Sequence, residues 1–207
     1  MAPGRDPTEH VFELSACFGV RLDERRIPEL QAFYEECHDY FELATGAPPG
    51  PREAKDLIRA VPRGKTPEDK FVIGLFDAPG HLIGVLDVIR DHPRSGEWFL
   101  GLLLFGPSSR RHRLGDRVYH RLEEWVRAQD GRALHLIVQE HNPGAIRFWQ
   151  RMGFAVRGMG KQMHRNRETV YLQMTKKLDP LDESAAAAAS GWLANWKRRR
   201  DDRTSPE

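Results

Sequence analysis

The sequence predicts an α/β domain, because apolar segments of strand length alternate with amphipathic segments of helical period. Residues 98–105 form an apolar run bounded by glycine and proline, which favours a largely buried strand. From Leu114 to Trp125, apolar residues recur at helical spacing while charged residues fill the other face. A strand over 133–138 and a helix over 143–152 repeat this order. Two strand–helix units in succession therefore predict a sheet flanked by helices.

The remaining elements follow from the same periodicities and from proline and glycine positions. Before the central strand, the sequence predicts a strand over 11–22, a helix over 27–43, a short helix over 52–60 and a hairpin of strands over 71–76 and 82–89. After it, segments 155–162 and 169–175 are predicted to close the sheet as an antiparallel pair. We predict a flexible arm over residues 1–9, one folded domain over 10–178 and a partly helical tail over 179–207.

Length and composition fit one compact domain with a buried core. The chain has 207 residues, is 40% hydrophobic and carries a net charge of +2, which excludes a global attraction to nucleic acid or anionic membranes. Its apolar runs are far shorter than the roughly 20 residues that span a bilayer, and residues 1–10 are too polar for a signal peptide. Cys17 and Cys37 have no metal-binding or redox spacing. We therefore expect a cytoplasmic protein with no membrane partner and no metal.

The tail leaves three alternatives open. Trp192 and Trp196 favour docking on the domain or on a second subunit of a homodimer. The composition of the tail also fits disorder. The basic segment over 197–200 would suit nucleic acid, although Asp201 and Asp202 follow it directly.

Cations crowd the segment between the central strand and the helix that follows it. Arg110, Arg111, Arg113 and Arg117 lie around the predicted start of this helix. Arginines there oppose the helix macrodipole unless an anion offsets them, and the unpaired N–H groups of the first turn also attract anions. The segment therefore predicts a site for a ligand with several phosphate oxygens, and a solvated basic helix start is the alternative.

A second motif reads N-x-x-A-x-x-F-W-x-x-x-G-F from Asn142 to Phe154. Together with the R-x-x-x-x-G loop from Arg110 to Gly115, it resembles the GCN5-related N-acetyltransferase (GNAT) superfamily over residues 10–178. The usual loop of that family is Q/R-x-x-G-x-G/A, and Arg113 stands here where the middle glycine is expected. The Arg113 side chain either pairs with a phosphate of coenzyme A or is merely tolerated.

The resemblance implies the GNAT fold, in which a central mixed, mostly antiparallel sheet is splayed between its fourth and fifth strands and flanked by helices. It also implies acetyl-CoA as the cosubstrate. Backbone amides of Leu103, Leu104 and Phe105 would hold the pantetheine arm, and Asn142 would hydrogen-bond the arm while capping the next helix. The phosphate loop would comprise Arg110, Arg111, His112, Arg113, Leu114 and Gly115.

Direct transfer to an amine requires that the amine lose a proton, because an alkyl amine has a pKa of about 10.4 in water. Glu97 is the predicted base, since the period of two along the central strand places it on one face with Phe99, Gly101 and Leu103. A solvated carboxylate at the strand end is the alternative reading of Glu97. Asp87, His141 and a chain of water are the other routes for the proton.

The acid that protonates the departing thiolate is a tyrosine in many family members, where this chain has Trp149. An indole N–H donates hydrogen bonds but does not act as a general acid. Three alternatives remain: coenzyme A leaves as a thiolate, or Tyr171 or Tyr119 is a relocated acid.

The family resemblance places acceptor recognition in the N-terminal third. Tyr34, Glu35, Asp39 and Tyr40 would line an acidic, aromatic entrance suited to a cationic amine, and a solvated polar helix face is the alternative. The predicted function is acetyl-CoA-dependent N-acetylation of a small molecule or peptide. A non-catalytic coenzyme A binder and a nucleic-acid-binding module are the two alternatives.

Overall fold

The computed structural model describes residues 10–110, 113–164 and 167–179. Its strands are β1 (His10–Glu13), β2 (Phe18–Arg21), β3 (Lys70–Phe76), β4 (Leu82–Ile89), β5 (Glu97–Phe105), β6 (Ala133–Gln139), β7 (Ala155–His164) and β8 (Arg167–Lys177). Its α-helices are α1 (Ile27–Glu36), α2 (His38–Thr45), α3 (Glu53–Arg59), α4 (Leu114–Arg127) and α5 (Pro143–Arg151). The predicted arm over 1–9 and all but the first residue of the predicted tail lie outside the described residues.

The strands form one mixed sheet in the order β1-β2-β3-β4-β5-β6-β8-β7. Among the described strands, only the β5–β6 neighbours run parallel, and every other pair is antiparallel. The predicted fold class, a mostly antiparallel mixed sheet flanked by helices, is confirmed.

Two elements differ from the sequence prediction. The single strand predicted over 11–22 is the hairpin β1–β2, closed by a bond from the Leu14 N–H to the Cys17 carbonyl at 2.8 Å. The helix predicted over 27–43 is interrupted at Cys37, whose N–H is shared between the Phe33 and Tyr34 carbonyls. Because of the extra strand, the predicted fourth and fifth strands are β5 and β6.

Helices cover both faces of the sheet. On one face, α1 to α3 pack on β3, β4 and β5 through a cluster that includes Leu30, Phe33, Val72 and Leu104. On the other face, α4 and α5 pack through Val118, Leu122, Trp98, Leu134 and Met174. No helix within the described residues is long and apolar enough to cross a bilayer.

The sheet is splayed between β5 and β6. These strands pair only at their start, where Glu97, Trp98 and Phe99 lie opposite Ala133, Leu134 and His135. β6 then keeps its full register with β8 through Gln139. The facing edges of β5 and β6 are therefore unpaired with one another beyond Phe99, and a cleft opens between them.

A β-bulge lies at Gly101 on the β5 side of this cleft. Asp87 of β4 is opposite Leu102, whereas Val88 is opposite Leu100, so Gly101 is the extra residue. The bulge reverses the alternation of faces. Leu103, predicted to share a face with Glu97, packs instead with the α4–α5 cluster, and Leu102 packs with the α1–α3 cluster.

Candidate active site

The cleft contains a cavity of about 360 Å³. Both unpaired strand edges line it, and α2, α5, β7 and β8 complete its wall. The lining residues are Tyr40, Leu43, Ala44, Thr45, Leu100, Gly101, Leu102, Leu103, Leu136, Ile137, Val138, Gln139, Asn142, Ala145, Trp149, Gln162, Thr169 and Tyr171. The cavity thus reaches from the α5 face of the sheet to the α2 face.

Backbone N–H groups of β5 point into the cleft. The Gly106 N–H donates to the Ile83 carbonyl of β4 at 3.0 Å. N–H directions alternate along a strand, so the Leu104 N–H also points to β4, whereas those of Leu103 and Phe105 point away from it into the cleft. Alternation therefore places the Leu103 and Phe105 N–H groups toward the cleft and the Leu104 N–H toward β4.

A buried carboxylate lies directly behind the bulge. A Cβ on Gly101 would be 2.8 Å from Oδ2 of Asp87, so any larger residue at this position would displace the Asp87 side chain. Asp87 is 7% exposed, and its Oδ1 lies 3.3 Å from the ammonium of Lys70. Burial raises the pKa of Asp87, and Lys70 opposes that rise.

The loop after β5 leads into the first turn of α4. Arg113 is the N-cap residue of α4 and adopts a left-handed conformation with φ of 54°. Glycine takes that conformation freely, whereas an L-residue loses about 1–2 kcal/mol. The left-handed backbone at this position is therefore one that the family's glycine adopts more easily than arginine does. Arg111 and His112 lie outside the described residues.

Gly115 lies in the first turn of α4, after the buried Leu114. A Cβ on Gly115 would be 3.3 Å from Cε2 of Phe148 and 3.6 Å from Cε2 of Phe105. The missing side chain lets the helix start approach both rings. The first-turn N–H groups therefore lie close to the end of β5.

The Arg110 side chain is hydrogen-bonded to other groups of the protein. Its Nε donates to the Phe105 carbonyl at 2.9 Å, and its two terminal nitrogens donate to the carboxylate of Asp39 on α2. The pair lowers the pKa of Asp39 and raises that of Arg110 through their hydrogen bond. The structure thus joins a residue predicted to bind the cofactor to one predicted to bind the acceptor.

Asn142 caps α5 and also lines the cavity. Its Oδ1 accepts the Ala145 N–H at 3.0 Å, and Pro143 occupies the first helical position. Because the cap uses the side-chain oxygen, the amide nitrogen of Asn142 is the group that can donate a hydrogen bond to a ligand.

Glu97 lies at the paired end of β5–β6 and does not line the cavity. Its carboxylate lies 3.1 Å from Nε2 of His135 and 3.2 Å from Nε of Arg94. His135 also bonds Thr175 of β8 through Nδ1 at 2.9 Å. These contacts hold the closed end of the cleft, and as a base Glu97 would need intervening water.

The aromatic residues divide between core and cavity. Trp149 lines the cavity and packs edge-on to Tyr119 and Phe154. Tyr119 is 0% exposed and lies outside the lining, and burial raises its pKa. Tyr171 lines the cavity from β8, where it covers Gly160 of β7. Of the two tyrosines considered as a relocated acid, Tyr171 is the one at the cavity.

The predicted acceptor residues also separate. Tyr34 is 2% exposed, lies within the α1–α3 cluster and does not line the cavity. Glu35 is exposed on α1 and does not line the cavity. Tyr40 lines the cavity, and burial raises its pKa to about 12.

Sequence reasoning missed Gln139 and considered His141 only as a base, whereas both residues hold α2 from the β6 side. Gln139 donates through Nε2 to the Ala44 carbonyl at 2.6 Å, and Nε2 of His141 lies 2.9 Å from the Leu43 carbonyl. Gln162 and Thr169 of the β7–β8 hairpin line the cavity as well. These contacts join residues far apart in the chain, and no local pattern signals them.

Comparison with known proteins identifies the family. Residues 30–154, more than half of the chain, match the acetyltransferase (GNAT) family. The chain belongs to this family. This GNAT acetyltransferase is therefore an acyltransferase, as the two sequence motifs predicted. No curated protein sequence matches it.

Solved structures share the GNAT fold of this acetyltransferase. A probable GNAT acetyltransferase from Chromobacterium violaceum superposes with a TM-score of 0.68 at 17% identity, covering 86% of this chain and 90% of that one. A spermidine N-acetyltransferase from Vibrio cholerae, in complex with CoA and spermine, gives 0.64 at 14% identity, covering 80% and 97%. The ribosomal-protein-S18-alanine N-acetyltransferase from Escherichia coli gives 0.59 at 14% identity, covering 80% and 96%.

Proposed function

We propose that this protein is an acetyl-CoA-dependent N-acetyltransferase that moves the acetyl group directly to an amine of a small molecule or peptide. The observation that carries the proposal is the cleft that opens beyond Phe99, with a cavity of about 360 Å³ and backbone N–H groups of β5 pointing into it. Structural neighbours named for spermidine and for a ribosomal-protein alanine both acetylate amines. Their chemistry supports an amine acceptor here without naming it.

The cofactor residues fit an extended, phosphate-bearing thioester. The N–H groups of Leu103 and Phe105 would bind the pantetheine arm along β5, and Asn142 would donate from its amide nitrogen across the cleft. The first turn of α4, opened by Gly115, supplies N–H groups for the pyrophosphate. Acetyl-CoA supplies the activated acetyl group. We call the part of the cavity lined by α2, β7 and β8 the acceptor end.

The amine reaches the acceptor end as an ammonium and must lose a proton before attack. Asp87 is the better placed of the two candidate carboxylates, because it touches Gly101, which lines the cavity. Its raised pKa makes it a stronger base than an exposed carboxylate. Glu97 stays the second candidate, through water, from the closed end of the cleft.

Tyr171 is the proposed donor of a proton to the leaving thiolate. It shares the cavity with Trp149, which occupies the usual position of the acid and has only an indole N–H to donate. The phenol would protonate the sulfur as the carbon–sulfur bond breaks, and solvent would restore the phenol proton.

The deciding experiment is a screen for thiol release from acetyl-CoA over small amines, amino acids, peptides and polyamines, with mass spectrometry of the product. We expect release above the background hydrolysis rate and a mass gain of one acetyl group on the acceptor. Binding of acetyl-CoA without turnover over the whole panel would favour the second candidate, a non-catalytic coenzyme A binder. Arg113 and Trp149, which depart from the family motif, favour that candidate.

We further propose that the protein is cytoplasmic and forms a homodimer. Cys17 and Cys37 are free and buried, which suits a reducing compartment. Fractionation and light scattering test the two proposals directly.

A further inference from the structure

Arg110 links the phosphate loop, of which it is the first residue, to helix α2. Its guanidinium spans two partners, the Phe105 carbonyl at the end of β5 and the Asp39 carboxylate on α2, and one of the two bonds to Asp39 measures 2.9 Å. Both bonds to Asp39 run from terminal nitrogens, so the pair is bidentate. The first residue of the phosphate loop is thus engaged by an internal anion.

Helix α2 lines the acceptor end through Tyr40, Leu43, Ala44 and Thr45. Its last turn is held from the β6 side of the cleft by Gln139 and His141. Its first turn is held from the β5 side by the Arg110–Asp39 pair. Helix α2 therefore bridges the two arms of the splayed sheet, and one of its anchors, Arg110, belongs to the phosphate loop.

The Arg110–Asp39 anchor is exchangeable. The Arg110 side chain is 35% exposed and that of Asp39 is 49% exposed, so water screens the pair and its net contribution is small. A phosphate offers the same planar guanidinium an equally good bidentate partner with more negative charge. A ligand phosphate at the loop can therefore displace Asp39.

We propose that Asp39 is a positioning residue: it holds α2 over the acceptor end through Arg110, and a phosphate of coenzyme A competes with it for the Arg110 guanidinium. This inference rests on the proposed function, because it needs coenzyme A at the loop. When the cofactor binds, α2 loses its β5 anchor and keeps those from Gln139 and His141. Cofactor occupancy thereby sets the position of the acceptor wall.

The test measures coenzyme A affinity by calorimetry in the full chain. Asp39→Asn removes the internal competitor, and we expect affinity to rise about threefold, the range of an exposed ion pair. Glu42→Gln makes the same charge change at an exposed site on the same helix and should leave affinity unchanged. In an Arg110→Gln background, which should itself weaken binding, Asp39→Asn should have no further effect.

Hydrogen exchange of the α2 amides gives a second readout. ADP carries a pyrophosphate but no pantetheine arm, so it engages the loop and leaves the cavity empty. We expect ADP to raise α2 exchange in the wild-type protein and to leave it unchanged in Asp39→Asn, where exchange is already high.

Three results would overturn the inference: equal effects of Asp39→Asn and Glu42→Gln, an unchanged effect of Asp39→Asn in the Arg110→Gln background, or α2 exchange indifferent to ADP at saturation. Absence of coenzyme A binding to the wild-type protein would instead contradict the proposed function. Arg110→Lys, which keeps the charge without the fork, serves as a second variant.

Discussion

Arg113 shows how one residue can depart from a family motif while its backbone keeps the motif's conformation. Its φ of 54° lies in the left-handed region. We expect Arg113→Gly to stabilise the fold by about 0.5–1 kcal/mol, because relief of the left-handed conformation exceeds the added entropy of the unfolded chain. Urea unfolding measures the change, and a loss of stability would contradict it.

Arg113→Ala is the matched control for this substitution, because it removes the guanidinium but keeps the backbone cost. If the side chain pairs with a phosphate, both variants lose coenzyme A affinity and the loss shrinks as salt rises. If arginine is merely tolerated, neither variant weakens binding.

Substitutions at the two candidate bases distinguish Asp87 from Glu97. Asp87→Asn should lower kcat by about 10²–10⁴-fold, and Glu97→Gln by less than tenfold, with acetyl-CoA affinity kept in both. The base must be ionised to act, so the rate should fall as pH drops through its folded pKa. Burial raises the pKa of Asp87, which places this acidic limb at higher pH than an exposed carboxylate would. Pre-steady-state rates across pH test the order.

A rate loss confined to Glu97→Gln would identify Glu97 as the base, as the period of two along the strand predicts. Circular dichroism and thermal unfolding of both variants guard against a structural explanation, since Asp87 pairs with Lys70 and Glu97 lies beside His135.

Tyr171 and Trp149 can be tested as one functional pair. Tyr171→Phe should lower kcat by about 10²-fold, the loss typical of a general acid. Trp149→Tyr in that background should recover part of the rate by supplying a phenol at the family's usual position. Tyr40→Phe, at the other cavity tyrosine, is the matched control. Equal losses in Tyr171→Phe and Tyr40→Phe, without rescue, would remove Tyr171 as the acid.

Local sequence signals were sufficient for residues whose role is local. Asn142 could be predicted as a cap because its partner Ala145 is in the same turn. Tyr34 and Asp39 could not be placed, since Tyr34 depends on packing in the α1–α3 cluster and Asp39 on Arg110, 71 positions away. Helical spacing alone does not distinguish a side chain in the core from one at a cavity.

At the scale of elements, periodicity located most strands and helices but not their irregularities. The bulge at Gly101 inserts one residue and moves Leu103 to the opposite face, which a strict period of two cannot detect. The break at Cys37 likewise lies inside a continuous apolar pattern, and the structure ends α1 there by sharing the Cys37 N–H between two carbonyls. Gly101 lines the cavity, and the break at Cys37 precedes α2, whose later residues line it as well.

The packing of α4 on α5 and β5 gives a prediction for Gly115. A valine there would push its methyl groups into Phe148 and Phe105, which a Cβ alone already approaches to 3.3 Å and 3.6 Å. We expect the first turn of α4 to shift and coenzyme A binding to weaken by about 1–3 kcal/mol, the loss of hydrogen bonds to charged groups. Calorimetry on the folded variant measures it. An unchanged dissociation constant would place the pyrophosphate elsewhere.

For the whole molecule, composition and strand–helix alternation predicted the α/β class, but the splay came from the family resemblance. Nothing in the apolar run of β5 signals that its pairing with β6 ends at Phe99. Elements far apart in the chain, α2, α5, β7 and β8, wall the cleft, which is therefore a property of the assembled fold.

The splayed architecture would make a ligand bound in the cleft part of the link between the two arms of the sheet. β5 and β6 share only three residue pairs. A ligand bonded to both edges should therefore stabilise the folded state and not the unfolded chain. At a concentration of about 100 times its dissociation constant, coenzyme A should add about 2.7 kcal/mol and raise Tm by about 5–10 °C. Scanning calorimetry measures the shift. Gly115→Val at the same ligand concentration should show a smaller shift, and an unchanged Tm in the wild-type protein would mean that coenzyme A does not bind the folded state.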